Sequence, residues 1–91
     1  MTDPLEGLRL QFLARCRTEL EQLRALSPDH PDLGLIAHRL AGSAGSFGYP
    51  EVSEVAAVVD DRARYGPKPG QAEIQALISA LEAATATAAR G

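Results

Sequence analysis

The sequence predicts an all-α fold, an antiparallel up-down-up-down bundle of four helices. Three observations carry that prediction. Apolar residues recur at intervals of three and four through four successive stretches, which is the spacing of one helix face. Proline and glycine punctuation separates the stretches with connections short enough to return the chain beside itself. Hydrophobic residues make up 45% of the chain but aromatics only 4%, a composition that suits helices packed closely through small side chains better than a sandwich of strands. With 91 residues there is room for one modest core, so residues 1–91 read as a single domain.

Asp3, Pro4 and Glu6 open the first helix as N-cap, first helical residue and capping-box acid. Leu5, Leu8, Phe12, Cys16, Leu20 and Leu23 form its apolar stripe, through to Leu26. Arg9, Arg15, Arg17, Glu19, Glu21 and Arg24 form its solvated face, and Cys16 on the stripe reads as a buried structural thiol. The run from Ser27 to Asp32 breaks that helix, with His30 as a surface or capping residue and Pro31 and Asp32 suited to a new first turn. The second helix is expected from Pro31 to Ser46, with Leu33, Ile36, Ala37, Leu40, Ala44 and Phe47 facing inward. Pro50 starts the third, whose stripe is Val52, Val55, Ala56, Val59 and Ala63. The segment 66–70, Gly-Pro-Lys-Pro-Gly, ends it. The fourth begins near Gln71 and carries Ile74, Leu77, Ile78, Leu81, Ala84 and Ala88 inward, with a fraying tail at 83–89.

A net charge of −3 argues against general nucleic-acid binding, which needs a basic face. No apolar run approaches the roughly 20 residues of a membrane span, and the N-terminus shows no signal-peptide pattern, so a cytoplasmic, free-standing protein is expected. One cysteine excludes an internal disulfide.

The stretch from Ala37 to Gly48 organises the rest. On a helix, His38 points almost directly away from the apolar stripe, and its neighbours on that bare side are Gly34 at i−4, Gly42 at i+4 and Gly45 at i+7. Each interior glycine costs about 1 kcal/mol relative to alanine, a large sacrifice against a total of roughly 5–15 kcal/mol. The glycines are not a nucleotide loop. Their G-x-x-G-x-x-G spacing lies on a helix rather than after a strand, and no Walker lysine follows. ATP binding is therefore not expected. His30 and His38 with Asp29 or Asp32 make no credible metal shell, and His38 sits off the face of Ser43, so neither a resident metal nor serine hydrolysis is expected. Leu35 projects toward the His38 side and could belong to a docking patch.

His38-Arg39-Leu40-Ala41-Gly42-Ser43-Ala44, with Gly48 ten residues after the histidine, resembles the signature of histidine phosphotransfer (HPt) domains, close to H-x-L-K-G-S-[SA]-x-x-x-G. The resemblance extends to a four-helix bundle over essentially the whole chain. It implies a phosphoryl carrier of two-component phosphorelays rather than an enzyme. His38 would accept the group from a phospho-aspartyl receiver domain and pass it to another receiver. The partners implied are response-regulator receivers, including one of a hybrid histidine kinase. Mg²⁺ would belong to the receiver, and the carrier would hold no cofactor of its own and act as a monomer. Ala41 departs from the family, which usually carries a lysine there to offset the phosphoryl charge. Arg39 is the cation left on this helix to do so. Gly42 and Gly45 would let the receiver close in beside Leu35. Ser43 would pack or bond backbone. Family alignment also places a polar residue 22 positions after the histidine, here Asp60, to orient the ring through Nδ1, against the plainer reading that it pairs with Arg64 at i+4. The alternative is a degenerate bundle that docks a receiver or kinase without being phosphorylated, which Ala41 favours and the intact His38 opposes.

Overall fold

A computed structural model describes residues 4–27 and 29–90, with residues 87–90 as backbone only. It contains α1 (Pro4–Ala25), α2 (Pro31–Ser43), α3 (Pro50–Tyr65) and α4 (Gln71–Arg90), with no strand among the described residues. Pro4, Pro31 and Pro50 each open a helix, where a missing N–H goes unused and a fixed φ is already helical. His30 caps α2, its Nδ1 accepting from Asp32 N at 3.1 Å. The expected Asp3 cap and the inward placing of Ala88 lie outside the described residues.

Contacts between successive helices run in opposite directions. Along α1 and α2, Phe12 stacks on Phe47 just beyond α2, Arg15 meets Ser43 and Glu19 meets Arg39. Along α2 and α3, Gly34 lies against Ala63, His38 against Asp60, and Ala41 against Ser53. Along α3 and α4, Arg62 reaches Glu73, while Val52 shares a cavity wall with Ala80 and Ala84. In each pair the residue numbers rise on one helix as they fall on the other, the antiparallel order that short connections impose. The buried cluster runs through all four helices, with Leu23, Leu33, Leu40, Val52, Val59, Leu77 and Leu81 almost wholly enclosed.

The structure corrects several sequence expectations, among them the inward placing of Ala63, which is exposed. α2 ends at Ser43, not Ser46, and residues 44–48 form a turn. Phe47 N and Tyr49 N both donate to Ala44 O, and Gly48 adopts φ +90°, so the chain reverses into α3 while Ala44 stays buried. Phe12 stacks on Phe47 at 5.0 Å and on Tyr49 at 5.9 Å between ring centres, fastening this turn to α1. Leu5 and Leu8 are exposed although the period puts them on the stripe, and Leu13 is buried instead. Glu19 belongs to the buried set, at 4% exposure, not to the solvated face.

Glu19 is buried because α2 presents it with a partner. Its Oε1 lies 3.8 Å from both Arg15 and Arg39, while Oε2 has no hydrogen-bond partner. Burial pushes the Glu19 carboxyl up, and the two guanidinium groups offset this only in part. A carboxyl whose pKa is higher folded than unfolded adds stability at low pH and loses it as pH rises through the folded value. Glu19→Gln is accordingly expected to lessen the stability the wild type gains between neutral pH and about 4.5. Thermal melts of both proteins across that range check this, and parallel pH profiles would refute it. Cys16, fully buried one turn away, has its thiol pushed up to about 11 by burial and then by Glu19, so it stays protonated as a core residue.

Candidate functional site

His38 stands on the outer side of α2, with 58% of its side chain exposed. Its place follows from the stripe. Ile36, Ala37 and Leu40 are buried, so the intervening position must face out. Across the helix pair, Asp60 projects from α3, and its Oδ2 lies 3.1 Å from His38 Nδ1. The carboxylate is 16% exposed while the ring is open, so one edge of the imidazole is held and Nε2 is left toward solvent. The i+4 pairing of Asp60 with Arg64 is present too, at 3.4 Å to Oδ1.

The helices come close enough for this because of Gly34. A Cβ built there would stand 2.9 Å from Ala63 Cβ, so no side chain fits without moving α2 from α3. This gives Gly34 a different reason from the bare-face reading, since its missing side chain serves helix packing. Gly42 does leave open space, with nothing within 4 Å of a Cβ built on it. Gly45 lies beyond the end of α2, so the i+7 argument fails for it. A Cβ there would make ordinary contact with Ser53 Oγ at 3.6 Å.

Leu35 is 55% exposed and lines a groove of about 510 Å³ together with Gly34, His38, Asp60, Ala63 and Arg64. His30, Asp29 and Lys68 also border it, the last two paired at 3.4 Å. Ser43 donates to Arg39 O at 2.8 Å and accepts from Arg15, which is the backbone-bonding role expected of it. Arg39 is not brought to His38. Its guanidinium lies along Glu19 of α1.

The cation at the ring is Arg64, whose Nη2 is 3.1 Å from His38 Nδ1. In the sequence Arg64 stands out only as the i+4 partner of Asp60. The available signal was that residues four apart on α3 share a face, so whatever places Asp60 at the ring places Arg64 nearby. Among the described residues, no three His, Cys, Asp or Glu side chains gather as a metal site. Nor is any described helix long and apolar enough to cross a membrane.

The arrangement can present a neutral imidazole with one nitrogen fixed by a carboxylate and the other open to a substrate, which is a nucleophile's geometry. No curated protein and no solved structure gives a significant match to the chain. A family model described as "Hpt domain" matches residues 7–87, which include all of α2 and α3 and the greater part of α1 and α4. Four helices, an outward histidine on the second and a match over nearly the full length lead to one assignment: the chain belongs to the Hpt domain family, the phosphocarrier modules of two-component phosphorelays that interact with response-regulator receivers.

Proposed function

We propose that His38 is the phosphoacceptor, taking a phosphoryl group from a phospho-aspartyl receiver domain and passing it to another receiver. The observation that carries this reading is the exposed imidazole whose Nδ1 meets Asp60 at 3.1 Å, leaving Nε2 outward beside an open groove. With the Nδ1 proton donated to Asp60, the Nε2 lone pair attacks phosphorus. The N–P bond forms as the bond from phosphorus to the aspartyl oxygen breaks, and the departing carboxylate keeps the electron pair. The ring becomes cationic on attack, and the Asp60 carboxylate faces that charge through Nδ1–H. Reversal of the same step loads the next receiver. Mg²⁺ is the receiver's contribution, and the chain itself supplies nucleophile, orientation and clearance.

Clearance rests on Gly42, where the surface is open, while Leu35 gives the receiver an apolar contact on the groove wall. Ala41 favours a second reading, a docking module that is not phosphorylated, because position 41 carries no charge. Incubation with a ³²P-labelled phospho-receiver distinguishes the two. Acid-labile, alkali-stable label on the chain is expected. Binding without label, across a panel of receivers, would establish the docking reading instead.

A further inference from the structure

The geometry points to Arg64, on α3, as the cation that binds the phosphoryl oxygens during transfer, in place of a charge at position 41 and in place of Arg39. This rests on His38 being the phosphoacceptor. The three positions are spatially distinct, and two of them carry a cation. Ala41 is half-buried, and its carbonyl accepts from Ser53 Oγ at 2.8 Å. Arg39 lies along Glu19, a buried carboxylate with one oxygen already unpartnered. Withdrawing Arg39 would leave Glu19 with Arg15 as its remaining counter-charge among the described ion pairs. Arg64 is half-exposed on the wall of the groove that His38 lines, 3.1 Å from the ring.

The partners of Arg64 explain why it is free to act. Asp60 Oδ2 and Arg64 Nη2 both lie 3.1 Å from the same nitrogen, His38 Nδ1. One nitrogen of a neutral ring cannot serve both. If Nδ1 carries the proton it donates to Asp60 and has no lone pair for Arg64. If it accepts from Arg64, the proton sits on Nε2 and that nitrogen is no nucleophile. The tautomer that can attack is therefore the one that releases the guanidinium. Arg64 then keeps only a 3.4 Å contact to Asp60 Oδ1. A dianionic phosphoryl group arriving at Nε2 offers that guanidinium a stronger, charge-assisted partner. The N–P bond forms as described above, and Arg64 takes no part in proton or electron transfer.

The test uses the full chain with two donors, a phospho-receiver and phosphoramidate, the latter reporting chemistry without docking. Arg64→Gln is expected to slow labelling of His38 by about ten- to a hundredfold with both donors, the worth of one charge-assisted hydrogen bond. Arg64→Lys should recover most of the rate, and Arg39→Gln should leave it within about twofold. The ¹⁵N shifts of the His38 ring should still show the proton on Nδ1 in Arg64→Gln. Labelling of Arg64→Gln at the wild-type rate overturns the assignment to Arg64 alone. So does a loss in Arg39→Gln with the fold intact by circular dichroism, or a move of the ring proton to Nε2 in Arg64→Gln, which would make Arg64 a positioning residue. A wild-type chain that takes no label from either donor overturns the phosphoacceptor reading, and this inference with it.

Discussion

His38→Gln is expected to take up no label from a phospho-aspartyl donor and to melt with the wild type. Both halves follow from where the ring stands. It is the described side chain that joins exposure on α2 to a carboxylate-held nitrogen, and its Nε2 is the sole atom of the proposed site with a lone pair suited to attack. Its contribution to the fold is small because the side chain is 58% exposed and its polar contacts are to Asp60 and Arg64, which keep each other as partners when it is gone. Substitutions at such surface positions usually stay within about 0.5 kcal/mol. Autoradiography after incubation with phospho-receiver, beside a circular dichroism melt, measures both quantities. Label surviving in the variant would move the acceptor elsewhere.

Gly34→Leu is expected to have the larger effect on the scaffold and to slow transfer as well. Even the first carbon of a side chain at 34 would meet Ala63 Cβ at 2.9 Å, and that atom is fixed to the α3 backbone rather than being the end of a flexible chain. Overpacking of this kind costs about 1–3 kcal/mol, and the better helix propensity of leucine returns less than about 1 kcal/mol. The remainder is a substantial part of a total of roughly 5–15 kcal/mol. The same separation acts on the site. His38 lies one turn from Gly34, and moving α2 off α3 by about half an ångström brings its 3.1 Å bond to Asp60 to the edge of hydrogen-bond range. Urea midpoints should fall and labelling should slow. The strain of the milder Gly34→Ala should be relieved by Ala63→Gly, which removes from α3 the methyl that the new one on α2 meets. Unchanged midpoints and rates in Gly34→Leu would show that the helices part freely.

Much of the fold was legible because its punctuation is chemical. Pro31 and Pro50 suit a first helical turn and each opens a helix, while the 66–70 segment interrupts one. The apolar period runs three residues past the end of α2, because the turn keeps Ala44 buried and Phe47 packed after the helical hydrogen bonds stop. Leu5 and Leu8 show the converse. A period says which side of a helix is apolar, not whether another helix covers it. Glu19 was misplaced since its burial depends on Arg39, twenty residues on and on another helix. At the site, His38 was readable from its own helix and Asp60 through the family resemblance. Arg64 is readable only as the i+4 partner of Asp60, and its contact with the ring is set by how two helices meet.

The contact of Gly34 with Ala63 also works as a gauge between two rails. His38 rides on one helix and both of its neighbours, Asp60 and Arg64, ride on the other. A helix advances about 1.5 Å per residue, so a slip of one residue between the rails would shift His38 by about half its distance to either neighbour. The geometry proposed for transfer at His38 is thereby tied to the alignment of the α2–α3 hairpin.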